Sequence, residues 1–200
     1  MIDIKQVTEM QHETVKRWHG EEIDNLYEGF LETACKQHSF NFLLWHEEDV
    51  ARSPDVGDHR IAQAKRAIDG YNQQRNDWIE KLDDAITALL DARQITHEEA
   101  APMNTETPGS VIDRLSILAL RLYHLEEQLE RTDVSPEHLE SVERKVAVCL
   151  VQHDELSAAL VQLLDDIAAS RKRHRTYRQF KMYNDPALNP YLYRARKKAG

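Results

Sequence analysis

Two hundred residues are enough for one domain with a sizeable core, and 41% hydrophobic with 30% charged residues is the make-up of an ordinary soluble chain. Six Gly and six Pro are too few for a loop-rich β architecture, no apolar run approaches the roughly 20 residues of a membrane span, and Met1–Gln6 lacks the basic-then-apolar start of a signal peptide. The net charge of −9 hides an asymmetry: from Ser170 to Gly200 stand ten basic residues and the single acid Asp185, so a basic end follows an acidic body.

The hydrophobic period is helical almost throughout. Ile4, Val7, Gln11, Thr14 and Trp18 predict a first helix ended by Gly20, and Ile23 to Ala34 a second. Ser39 is placed to cap a third, from Phe40 to about Arg52, which stops at Ser53-Pro54. Asp58 is placed to cap a long fourth helix to about Asp91, and Arg93–Thr107 forms a linker. Thr107 then caps, and Pro108 opens, a fifth helix to about Arg131; Ser135-Pro136-Glu137 begins the last long one.

In the last two helices apolar residues alternate three and four apart: Val111, Leu115, Leu118, Leu122, Leu125, Leu129, and Val142, Val146, Cys149, His153, Leu156, Leu160, Leu163, Ile167. That 3.5-residue repeat is the seam of a bundle or coiled coil. The expectation is an all-α, elongated antiparallel bundle over residues 1–180, with a basic, Pro- and Tyr-rich tail, 181–200, packed on it. The tail from Tyr183 to Tyr193 is expected near the Asn104–Asp113 helix start, since disordered segments carry few aromatics. Cys35 and Cys149 match neither a metal spacing nor a disulfide framework, and a cytoplasmic location is expected.

Polar residues at apolar register positions mark the candidate site, because burial without partners costs roughly 1–3 kcal/mol per group. Asn72 and Arg75 interrupt the stripe Ile61, Lys65, Ile68, Ile79, Leu82, Ile86, Leu89, so Arg75 calls for a carboxylate, Asp49 or Asp113, from another helix. Asp113 and His124 lie on a second apolar face of the fifth helix, roughly 16 Å apart at 1.5 Å per residue. Such a helix is central, with apolar surface on two sides. His46 and Asp49 share a face of the third helix. The start at Thr107 groups Glu106, Asp113 and Arg114 with unpaired backbone N–H groups, a place able to hold an anion. Glu80-Lys81-Leu82-Asp83 has the spacing of a magnesium-binding carboxylate pair, and with Glu48 and Asp49 makes an alternative metal set. The di-iron signature Glu-x-x-His occurs once only, at Glu9–His12.

Several segments together resemble a bacterial family without an assigned reaction, domain-of-unknown-function family 4254. They are Trp45-His46-x-Glu48-Asp49, Lys65-Arg66-x-Ile68-Asp69 with Asn72-Gln73-x-Arg75, Asn104-Thr105-Glu106-x-Pro108, Ile112–Leu118, Tyr123-His124 and Lys181–Pro190. The resemblance implies an all-helical cytoplasmic protein, often encoded beside glycosyltransferases of lipopolysaccharide or surface-glycan assembly. It carries over no catalytic residue.

The expected function is that of an accessory factor binding a phosphorylated or nucleotide-linked sugar, or the glycosyltransferase that uses one, without cofactor or metal. Its ligand residues would be His46, Asp49, Asn72, Arg75, Glu106, Asp113, Arg114 and His124. Arg75, Arg114 and the helix start would meet phosphate, while Asp49, Asn72 and Asp113 would bond hydroxyls. The alternatives are an all-helical magnesium-dependent phosphohydrolase on Glu48, Asp49, Glu80 and Asp83, and a structural protein without a small-molecule site. Homo-oligomers are compatible with the pattern; nucleic acid is not an expected partner.

Overall fold

The structure, a computed structural model, describes every residue except Met1, Glu98, Lys181, Tyr183, Asn184 and Gly200, and for 195–199 the backbone alone. Its helices are α1 (Ile4–Trp18), α2 (Gly29–Arg52), α3 (Gly57–Ala92), α4 (Pro108–Leu129), α5 (Pro136–Ala168) and α6 (Pro190–Ala199). The described residues contain no strand, only an isolated bridge between Met103 and Arg173. Helices α2 and α3 form one hairpin and α4 and α5 another, each joined by a short turn, while α1 packs on α2, α4 and α5. The central member is α4, in contact with all four of the other long helices. This is the consequence of its two apolar faces: Val111, Leu115, Leu118 and Leu122 on one, Ile112, Ala119 and Leu120 on the other, all buried.

The helix starts follow local chemistry. Asp3 accepts from the N–H groups of Lys5 and Gln6, Thr107 from Ser110 and Ser135 from His138, each satisfying a donor that the first turn leaves free. The stretch 23–52 departs from expectation, since its two predicted helices are one. Residues 21–28 are irregular and Leu26 is 74% exposed. The helix begins instead at Gly29, whose φ of +62° suits a residue without a Cβ. Ser39 is no cap: it sits inside α2 and donates its hydroxyl proton to the Lys36 carbonyl, the other habit of helical serines.

On α5 the seam residues Val142, Cys149, Leu160, Leu163 and Ile167 are buried against the bundle, while Val148, Leu150, Val151 and Val161 face outward. Averaged over 18 residues, α5 reaches a mean hydropathy of 1.2, so by length and composition one helix does pass the threshold for crossing a membrane. Gln152, His153, Asp154 and Glu155 interrupt its apolar residues.

Candidate functional site

Where α2, α3 and α4 meet, Asp113 is almost fully buried and accepts hydrogen bonds from three side chains. Gln37 Nε2 lies 2.6 Å, Asn41 Nδ2 2.9 Å and Arg75 Nε 2.7 Å from Oδ1, and a second Arg75 nitrogen donates to Oδ2. The bidentate pair raises the Arg75 pKa, the hydrogen bonds to Asp113 being the main cause. Asn41 also donates to Ser116 Oγ at 2.8 Å, which meets His38 Nδ1 at 2.6 Å. Burial pushes the His38 pKa down from 6.5 to about 3, so this ring is neutral.

Above this network opens a groove of 450 Å³ lined by Asn41, Trp45, Glu48, Asp49, Arg52, Asn72 and Arg75, with Leu44, Ile68, Ile117 and Leu120 as its apolar wall. The structure thus brings Asp49, Asn72 and Arg75 together, and Asp113 answers the demand of Arg75 for a carboxylate. Asp113 itself does not line the groove. Its oxygens are taken by Gln37, Asn41 and Arg75, so it positions Arg75 instead of bonding a ligand hydroxyl. The expected role of Asp113 as a hydroxyl acceptor is corrected on that ground.

The α4 start is likewise occupied from within. Asp83 Oδ1 accepts from Gly109 N at 2.8 Å, Thr107 Oγ1 from Ser110 N at 3.2 Å, and Arg114 pairs with Glu106 at 2.7 Å on the surface. The anion at this helix end is a residue of α3, which removes the basis for a phosphate held by Thr107, Glu106 and Arg114. Burial raises the Asp83 pKa, against the hydrogen bonds from Thr107 and Gly109 that lower it.

Nor do the four carboxylates of the alternative metal set converge. Glu47 pairs with Arg60 and Glu48 with Arg52 at one end of the α2–α3 hairpin. Glu80 and Asp83 lie some twenty residues further along α3, on the order of 30 Å at 1.5 Å per residue. There Glu80 accepts from Arg178 and from the Gln179 backbone N–H.

The remaining two candidates meet each other. His46 on α2 and His124 on α4 lie beside His19, which follows the last residue of α1, and one ring nitrogen of each lies within 4.8 Å of the other two. Phe42, Trp45 and Tyr123 surround them. The Trp45 ring stacks on His124 with centroids 4.9 Å apart and Tyr123 stacks on His19 at 4.0 Å. His153, a seam residue, packs apart from them against His12.

Residues 31–176 match the family described as Protein of unknown function (DUF4254). The chain belongs to this family. The match spans α2 to α5 with the groove and His46 and His124, and leaves α1 with His19 outside it. No curated protein and no solved structure matches the chain.

Sequence reasoning missed Gln37, His38, Asn41, Ser116 and His19. Gln37-His38-Ser39 was legible as an oddity, three polar residues in a row before an apolar helix, and the misplaced cap at Ser39 put them in a connection instead of a core. His19 carried no local signal beyond its place at a helix end.

Proposed function

We propose that this DUF4254 protein binds the sugar portion of a phosphorylated or nucleotide-linked sugar in the α2–α3–α4 groove, as an accessory factor of surface-glycan synthesis. The groove itself carries the reading. It has the size of a small-ligand site, roughly 300–1,000 Å³, and sets the aromatic Trp45 beside two amides, two carboxylates and two guanidinium groups. Hydroxyl groups of a sugar both donate and accept, so alternating carboxylate, amide and guanidinium partners satisfy them, while a ring face covers C–H surface. Charge balance favours the sugar over the phosphate: Arg75 is bound to Asp113 and Arg52 to Glu48, so both cations already have a carboxylate. A purely structural role for these residues would need no groove above the Asp113 network.

Calorimetric titration with free monosaccharides, sugar phosphates and nucleotide sugars tests this. Binding of at least one sugar class is expected, weakened at least tenfold by Asp49→Asn or Asn72→Ala and unaffected by Glu106→Gln at the α4 start. Absence of binding throughout the series, or equal loss with Glu106→Gln, would remove the groove as the site.

A further inference from the structure

We propose that His19, His46 and His124 form a binding site for one divalent transition-metal ion of the zinc class, held through their three Nε2 atoms. The inference goes beyond the groove reading and stands on different residues.

The hydrogen bonds assign the tautomers. His19 Nδ1 lies 2.7 Å from the Val15 carbonyl oxygen, His46 Nδ1 2.8 Å from that of Phe42, and His124 Nδ1 2.8 Å from Glu127 Oε2. A carbonyl or carboxylate oxygen can only accept, so each Nδ1 carries the proton and each neutral ring keeps its lone pair on Nε2. In His19 and His124 that Nε2 is buried and has no hydrogen-bond partner. Two bare lone pairs buried beside a third histidine are unfavourable unless something electrophilic joins them.

A zinc-class ion is the group that fits. Metal-bound histidines almost always give their second N–H to a carbonyl or carboxylate, which fixes the ring and raises its basicity, and all three rings already do so. Imidazole donors suit zinc, copper, iron or nickel, whereas magnesium and calcium take oxygen. Zn–N bonds of about 2.0–2.1 Å put nitrogens roughly 3.4 Å apart in a tetrahedral set; one ring nitrogen of each histidine lies within 4.8 Å of the other two, so the rings must shift by somewhat over 1 Å to bring three Nε2 atoms onto one ion. His19 can supply that movement, because it follows the last turn of α1 and precedes an irregular exposed segment.

The surroundings agree with a metal. Phe42, Trp45 and Tyr123 form an aromatic wall around the three rings. Trp45 stacks on His124 and also lines the groove, so the ion would sit one aromatic side chain away from the proposed sugar.

The full-length chain, stripped with a chelator, is titrated with Zn²⁺ and Co²⁺. One ion per chain is expected, with the visible absorption of a low-symmetry Co²⁺ centre and a raised Tm. His46→Ala and His124→Ala should weaken binding at least 100-fold, Glu127→Gln about 10- to 100-fold through His124, and His12→Ala not at all. Circular dichroism establishes that each variant folds. If a histidine variant does not, wild-type NMR decides: Zn²⁺ should shift the imidazole resonances of His19, His46 and His124 together. No uptake at micromolar Zn²⁺, equal affinity in the folded His46→Ala and His124→Ala variants, or shifts confined to other histidines would overturn the proposal.

Discussion

Asp113 shows how one buried carboxylate organises three helices. Its partners Gln37 and Asn41 come from α2 and Arg75 from α3, so its removal strands a guanidinium and two amides at once. Breaking a buried pair from one side destabilises by about 3–5 kcal/mol; Arg75 keeps 27% exposure and can recover some hydration. Asp113→Ala is therefore expected to cost about 3 kcal/mol, read as a lower urea midpoint, and an unchanged midpoint would show that the network carries little stability. His38 adds a pH dependence. Its folded-state pKa is depressed from 6.5 to about 3, so its contribution is complete above pH 6.5 and is lost as pH falls toward 3. The unfolded chain takes up a proton that the folded one refuses, which amounts to about 2 kcal/mol by pH 5. Burial lowers the His12 pKa too, in the same direction. Equilibrium unfolding at pH 7 and pH 5 should show this loss, and His38→Gln should flatten the profile.

At the scale of elements, two glycines separate space from propensity. A Cβ on Gly109 would stand 2.7 Å from the Ile79 carbonyl oxygen and 2.8 Å from Asp83 Oδ1, both held in place where α3 crosses the α4 start. Gly109→Ala must push the helices apart or break the Asp83 contact, and overpacking of this kind costs about 1–3 kcal/mol. Gly70, midway along α3, has nothing within 4 Å of such a Cβ. Gly70→Ala is expected to stabilise by about 0.5–1 kcal/mol, since only helix propensity changes. Thermal melts of the two variants should move in opposite directions; a neutral Gly109→Ala would mean that α3 and α4 tolerate a wider separation. The boundaries themselves divide by cause. α4 and α5 were legible because long stripes and caps agree, α3 from its stripe alone, since Asp58 lies inside the helix and does not cap it, and α1 because Gly20 ends its short stripe. The fused α2 was not, because Ser39 has two uses in helices and only the neighbouring chain selects between them.

Across the whole molecule, the basic end is drawn to the acidic body, and the docking segment is 171–179. Lys172 donates to Asn104 at 3.1 Å, His174 to the Asp83 carbonyl at 2.9 Å, Thr176 to Asp84 at 3.0 Å, and Arg178 to Glu80 and Asp84. This strap, not the expected 183–193, reaches the Asn104–Thr107 side of the α4 start; Leu188 is exposed, Tyr191 is 87% exposed, and Tyr183 lies outside the described residues. Truncation after Ser170 should therefore remove about 2 kcal/mol, or roughly 4–8 °C of Tm, with a larger deficit at low salt, where the strap's ion pairs are least screened. A chain ending at Phe180 should keep most of its Tm. Equal melting of the two truncations would show that the strap contributes nothing.

Helix content, the central place of α4 and the need of Arg75 for a carboxylate were all determined by the order of residues, because apolar periodicity and the cost of burying charge act at every position. Which carboxylate answered, that Asp83 fills the α4 start, and that His19 joins His46 and His124 were decided only in three dimensions. Those choices depend on the angle and register at which separate helices pack. Residues 27 and 105 positions away from His19 in the chain have no local signal that could announce them as its neighbours.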